Sequence, residues 1–433
     1  MANHKRIFML GWEFPPFISG GLGTACYGLT RAMDRLGMKV TFVLPKMVES
    51  QYTTHVKLLT PGSPRSGATF KFQDLKNVKF RTIPSPLQPY STPEVYQRRI
   101  EETLRKKQKL LGESAYSVES LMLPRDYSSD MYTEVHRYAA IAAELAENEP
   151  FDIIHAHDWM TFPAGLAVAA ISGKPLVIHV HSTEFDRSGE HVNQMIYDIE
   201  RAGMERADRI ITVSHFTRNV IIGRYGISGD KVKVVYNGVE RLGSWTSDET
   251  SITKDEKIVL FLGRITMQKG PEYFLHAAKK VLEIMDNVKF VMAGSGDLMR
   301  QSIEMAAGLG IGHKVLFTGF LRGEDVQKIY QMADLYVMPS VSEPFGIAPL
   351  EALDNDVPVI ISRQSGVSEV LTHALKVDFW DVNEMANKIV AVLKYPSLQM
   401  TLRNHGNFEV RRLRWKDTAL KCAKIYEEIL VPV

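Results

Sequence analysis

Five short apolar runs in the second half of the chain constrain its fold most: Ile258–Leu262, Val288–Ala293, Val315–Thr318, Leu335–Met338 and Val357–Ile361. Stretches with helical apolar spacing lie between them, joined by short loops. Runs this short and this apolar read as strands buried on both faces, and strand–helix alternation demands a parallel sheet covered by helices on both sides. The first half repeats the rhythm at Arg6–Leu10, Lys39–Leu44, Asp152–His157, Pro175–His181, Asp208–Ser214 and Lys233–Val239. With 433 residues the chain exceeds what one core serves, so two α/β domains with parallel sheets are expected. The polar stretch from Glu240 to Asp255 reads as their linker, and residues 50–130, rich in proline, read as irregular.

Composition narrows the partners. The formal net charge is +2, with 45% apolar and 24% charged residues, and the basic residues are dispersed, which argues against nucleic acid or an anionic membrane as the main partner. Gln97–Gln108 is charged and reads as a solvated helix. Cys26 and Cys422 lie at opposite ends of the chain without a C-x-x-C neighbour, so neither a zinc site nor a disulfide framework is indicated. The N-terminal apolar run is too short for a signal sequence and no run reaches the roughly 18 apolar residues of a membrane span, so a cytoplasmic protein is expected.

The chemistry-bearing residues sit at strand ends. Leu335–Met338 leads into Ser340-Val-Ser-Glu-Pro-Phe-Gly-Ile-Ala-Pro-Leu-Glu-Ala-Leu353, where a helix opens with Gly346 and Pro349 in its first turn. Free N–H groups and the positive end of the helix dipole there suit a phosphate. Glu343 precedes the turn and Glu351 follows eight residues later, its side chain leaning back toward the same pocket. Gly263-Arg-Ile-Thr-Met-Gln-Lys-Gly270 places Arg264 and Lys269 in the loop after Ile258–Leu262; across the sheet edge from Glu343 they make a clamp for a departing diphosphate.

In the first half, Phe14-Pro-Pro-Phe-Ile-Ser-Gly-Gly-Leu-Gly23 hands Gly20 and Gly21 to a helix over Leu22–Leu36, where glycines allow a ligand close to the backbone; a tight turn explains an isolated glycine pair equally well. The spacing there is not a dinucleotide fingerprint. Asp158 and Trp159 follow Asp152–His157, and His179 and His181 share a face of the next strand, a metal-like pair to which spacing adds no third ligand. Trp12, Phe14, Phe17, Trp159 and Phe185 gather at strand ends as a possible sugar-stacking platform. Asp354-Asn-Asp356 sits in a helix-to-strand turn and reads as turn chemistry, so no metal is expected.

Glu343-x7-Glu351 enclosing Pro-Phe-Gly, followed by Val357-Pro-Val-Ile-Ile-Ser362, resembles the donor-site signature of retaining GT-B glycosyltransferases, and Gly-Arg-x4-Lys-Gly resembles their phosphate clamp. Gly11-Trp-Glu-Phe-Pro-Pro16 with Gly20-Gly-Leu-Gly23 resembles the opening of glycogen and starch synthases and their family-4 relatives, although Ser19 stands where many of those carry a phosphate-binding Lys. The resemblance implies a GT-B fold, two Rossmann-like domains with parallel sheets facing across a cleft: an acceptor-side domain over 1–245, completed by a terminal helix in 410–433 that crosses back, and a nucleotide-sugar domain over 246–409. It implies that His181, Arg264, Lys269 and Glu343 serve the reaction centre. It further implies that Gly20, Gly21, Phe345, Gly346, Ile347 and Glu351 bind the donor, with Phe320 and Leu321 near its base, and that Asp158 and Trp159 meet the acceptor. The implied activity is metal-independent transfer of glucose from ADP- or UDP-glucose to an α-glucan, with the nucleotide sugar as co-substrate and no cofactor. Another family-4 product, such as a disaccharide, a surface polysaccharide or a glycolipid, is the alternative; base, acceptor and oligomeric state are unreadable.

Overall fold

The computed structural model describes residues 5–14, 20–47, 75–85, 131–239 and 256–430. The charged segment 97–108, the linker 240–255, Phe17 and Ser19 lie outside them. The chain divides into two compact units, Met1–Ile178 with Ala202–Asp208 and Ile429–Val433, and His179–Arg201 with Arg209–Glu428.

Seven described strands form one sheet: β1 (Arg6–Leu10), β2 (Lys39–Met47), β3 (Val78–Ser85), β4 (Ile153–His157), β5 (Leu176–Val180), β6 (Arg209–Thr212) and β7 (Val232–Val234). Their order is β3-β2-β1-β4-β5-β6-β7. Six more form a second sheet: β8 (Lys257–Leu262), β9 (Val288–Ala293), β10 (Val315–Gly319), β11 (Leu335–Met338), β12 (Val359–Ser362) and β13 (Leu375–Val377), in the order β10-β9-β8-β11-β12-β13. In each sheet the chain first builds outward from one central strand, then restarts on that strand's other side. The loops leaving β1 and β4, and those leaving β8 and β11, therefore diverge at a reversal of strand order, where open α/β sheets bind ligands.

The central strands pair in parallel, β8 with β9 from Lys257↔Val288 to Leu262↔Ala293. Period-two alternation sends Val259, Phe261, Phe290 and Val337 into one buried cluster and Leu260, Val291, Tyr336 and Val359 into another. Both faces of the sheet are thus filled, which is why these segments read as apolar runs. Fully burying each such side chain contributes about 1.5–3 kcal/mol, so the strand ends are rigid mounts for the loops they carry.

Two local readings differ from the sequence. Residues 50–130 were expected to be irregular, yet β3 lies within them as the outermost strand; an edge strand needs only one partner and tolerates the charges of Lys79 and Arg81, which reach Glu149 at 2.7 and 2.6 Å. The three-residue β13 was too short to register as a run. The terminal helix spans Trp415–Leu430, anchored by Thr418 Oγ1 donating to Tyr236 O at 2.9 Å and Val239 N to Leu413 O at 2.8 Å. No described helix is long and apolar enough to cross a membrane.

Candidate active site

The loop leaving β8 closes on a short turn, Met267–Lys269, and ends at Gly270 with φ of 63°. A Cβ at Gly270 would come within 2.3 Å of Pro339 O, so this loop lies pressed on the end of β11. Gln268, buried between them, accepts from Arg264 Nη2 at 3.1 Å through its side chain and from Val341 N at 2.9 Å through its main chain. One residue therefore aims Arg264 and fastens the next loop.

On that next loop Glu343 pairs with Lys269 and accepts from Ser340 Oγ at 3.2 Å. Its main chain bridges to the loop after β12: Glu343 N donates to Gln364 O and Gly366 N to Glu343 O, both at 2.9 Å. Pro344 O accepts from Ser214 Oγ at 2.5 Å, and Phe345 O from Val367 N at 2.7 Å. The Phe345 ring itself is core, 2% exposed, so only its main chain is offered to a ligand.

Gly346 does not lie in the first helical turn. Its φ of 99° is incompatible with a helix, which begins at Ala348 and runs to Asp354, with Ile347 as its cap. Pro349 stands at the expected early position, and Glu351 lies in the first turn. Tyr330 Oη lies 3.2 Å from Glu351 Oε2, and burial raises the Glu351 carboxyl above its ordinary range. Phe320 and Leu321 follow β10, two strands from β8; Phe320 is exposed, with the Arg322 guanidinium 5.1 Å from its ring centre. At strand spacing of about 4.8 Å they stand apart from the Lys269–Glu343 pair.

His181 leaves the end of β5, its ring stacked on His179 at 4.2 Å. Desolvation pushes its imidazole down to about 3, so it is neutral at pH 7. The chain then enters the helix Glu184–Ser188, whose Asp186 Oδ1 receives Ser342 Oγ at 2.6 Å. The structure thus joins the His181 segment to the Glu343 loop through a residue to which sequence reasoning gave no role. The only signal was the capping-box spacing Thr183-x-x-Asp186.

At the reversal of the first sheet, Glu13 is fully buried and accepts from Gly23 N at 2.9 Å, capping the helix Gly21–Arg35. Of the two glycines expected to face a ligand, Gly20 is half-buried and Gly21 exposed. Asp158 is 6% exposed with φ of 57°, its carbonyl taking Thr161 N at 3.0 Å. Burial, and then the charges of Glu13 and Asp158, raise the Cys26 thiol.

Among the described residues these rings do not form an exposed platform. Trp12 packs on Tyr138 at 4.8 Å, Phe14 on Phe42 at 5.1 Å, Trp159 is 6% exposed, and Phe185 stands edge-on to Tyr225 at 5.6 Å. Their apolar surface fills the core beneath the loops, a larger gain than leaving it in water. Asp356, with φ of 61°, accepts from Asn407 Nδ2 at 3.1 Å in the turn that enters β12, at the opposite end of the strands from the Glu343 loop; this is turn chemistry.

Comparison with known proteins agrees with this geometry. Residues 246–407 match the model of group 1 glycosyl transferases and residues 112–241 that of glycosyltransferase family 4. An uncharacterized glycosyltransferase of Methanocaldococcus jannaschii is 31% identical over 383 residues, covering 85% of this chain and 83% of the relative. Glycogen synthase of Mycobacterium tuberculosis is 22% identical, covering 97% and 94%. Among solved structures, the sucrose-phosphate synthase of Thermosynechococcus elongatus superposes with a TM-score of 0.72 at 20% identity, covering 98% of each chain. An Anabaena protein in complex with UDP-glucose gives 0.67 at 18%, covering 98% of this chain and all of the other. With two parallel sheets of this topology and a relative of that identity and extent, the chain belongs to the GT-B glycosyltransferases of family 4/5 type.

Proposed function

We propose that this glycosyltransferase transfers glucose, with retention of anomeric configuration, from UDP- or ADP-glucose to an α-glucan. The observation that carries the reading is the Lys269–Glu343 pair with Arg264 held beside it by Gln268, at the strand-order reversal of the second sheet. The leaving diphosphate develops negative charge, and fixed cations in a site shielded from water stabilise it without a protein nucleophile. In this reading Arg264 and Lys269 hold the diphosphate, and Glu343 with the main chain of Phe345, Gly346 and Ile347 holds the sugar. Glu351 takes the ribose, Phe320 and Leu321 the base, and Gly20 and Gly21 the donor from the first sheet. His181 touches the sugar as a neutral ring, and Asp158 and Trp159 border the acceptor. We divide the chain functionally at 245/246, with 410–433 joining 1–245; the break between the two family matches, at 241 and 246, supports that division.

A second reading, a smaller or lipid-linked acceptor, is favoured by one observation: Trp12, Phe14 and Trp159 are packed, so these three rings are not offered to a glucan. Nucleotide release from UDP-, ADP- and GDP-glucose, with glycogen, a maltooligosaccharide or no acceptor, separates the two, and repeating it after exhaustive chelation tests metal independence. Elongation of a glucan by chelated enzyme is expected. Transfer only to a free sugar or a lipid would transfer the case to the second reading, and no nucleotide release from any donor would end both.

A further inference from the structure

The helix Glu184–Ser188 has only five residues, far too few to be stable by main-chain bonds alone, so side chains set its position. At its start Thr183 donates to Asp186 Oδ2 twice, from N at 2.7 Å and from Oγ1 at 2.8 Å. Behind it the buried Glu200 accepts from Glu184 N at 3.0 Å, from Arg187 Nη2 and from the Tyr225 hydroxyl. Glu184 in turn accepts from Arg187 Nε at 3.0 Å and from Asn193 N at 3.1 Å. This cage holds the helix while using one oxygen of Asp186. The other oxygen, Oδ1, accepts from Ser342, which precedes Glu343 and whose neighbour Val341 is tied to Gln268.

Burial pushes the Asp186 carboxyl up, and the donations from Ser342 and Thr183 oppose that push. Losing the Ser342 hydroxyl would leave a buried carboxylate oxygen short of a donor, a cost that favours reopening the loop to water. The bond joins residues 156 apart in sequence. On one side of it stands the segment leaving His181, on the other the loop that carries Glu343.

We propose that Asp186 is a positioning residue of the transfer reaction: through Ser342 it fixes the Glu343 loop against the His181 segment and sets turnover rather than donor affinity. The identity of the donor rests on the functional reading above; the bond itself does not.

The test compares Ser342→Ala, Ser342→Thr, Asp186→Asn and the Asp186→Asn/Ser342→Ala double variant, all in the full chain. Because a misplacement of about 1 Å costs on the order of 100-fold, Ser342→Ala should lower kcat by about 10–100-fold while donor KM stays within about threefold. Ser342→Thr, which keeps the hydroxyl, should restore most turnover, and the double variant should be no worse than Asp186→Asn alone. Unchanged kcat in Ser342→Ala, additive losses, or Ser342→Thr as impaired as Ser342→Ala would overturn the proposal. Amide hydrogen exchange supplies a readout that needs no substrate: exchange over 340–347 should accelerate in Ser342→Ala and Asp186→Asn. Unchanged exchange there overturns the proposal. If the wild type turns over no nucleotide sugar, the functional reading fails while the exchange result still decides this one.

Discussion

The Lys269 ammonium meets the Glu343 carboxylate across the loops that leave β8 and β11, the neighbouring strands at which the second sheet reverses its order. Two residues 74 positions apart thereby form one charged unit with Ser340 as a further donor. If Lys269 holds the leaving diphosphate as proposed, Lys269→Ala removes a cation from where charge develops, and it leaves Glu343 without that partner. Removing one such donor typically costs about 10²–10³ in rate, and kcat/KM should fall by that much. Steady-state kinetics at saturating acceptor, with a thermal melt to show that the fold survives, checks it; turnover near wild type would remove Lys269 from the clamp.

Gln268 Oε1 accepts from Arg264 Nη2 at 3.1 Å. Gln268→Ala should lower kcat by about tenfold, whereas Gln268→Glu keeps an acceptor whose charge strengthens the bond and should retain turnover. Equal loss in both variants would show that the amide nitrogen, not the oxygen, matters.

Trp159 is a packed ring. Trp159→Ala should therefore cost about 3–5 kcal/mol of stability, read as a lower urea midpoint. A raised acceptor KM with an unchanged midpoint would instead make Trp159 a contact for the sugar chain.

Desolvation pushes the folded His181 imidazole down to about 3 from an ordinary 6.5. Between those values the unfolded chain binds a proton that the folded protein refuses, so this group withdraws stability as pH falls from about 6.5 toward 3 and is without effect above that window. Nitrogen-15 shifts of labelled histidine, assigned with His181→Asn, should show a neutral ring from pH 8 to pH 5. A midpoint near 6.5 would contradict the desolvated environment.

The central strands were legible because burial on both faces leaves continuous apolar text, as in Ile7-Phe8-Met9-Leu10, all buried. The meeting of Lys269 with Glu343 was legible because the loop that carries Arg264 and Lys269 follows such a strand. β3 was not, since an edge strand carrying Lys79 and Arg81 resembles loop. Gly346 was expected inside the first helical turn, and nothing in the local spacing announces the positive φ that puts it outside the helix. The Asp186–Ser342 bond was illegible because nothing in local spacing links residues so distant. The rings of Trp12, Phe14 and Trp159 were correctly placed at strand ends, yet whether a loop ring turns inward depends on the packing beneath it.

The most direct test of the central claim is the anomeric outcome of transfer. Early-time proton NMR of the product formed from UDP- or ADP-glucose by wild type and by Arg264→Ala/Lys269→Ala should show an α-linked glucoside from the wild type. The double variant should form it at least about 10²-fold more slowly. A β-linked product, or a double variant as fast as the wild type, would contradict a retaining transferase built on this clamp.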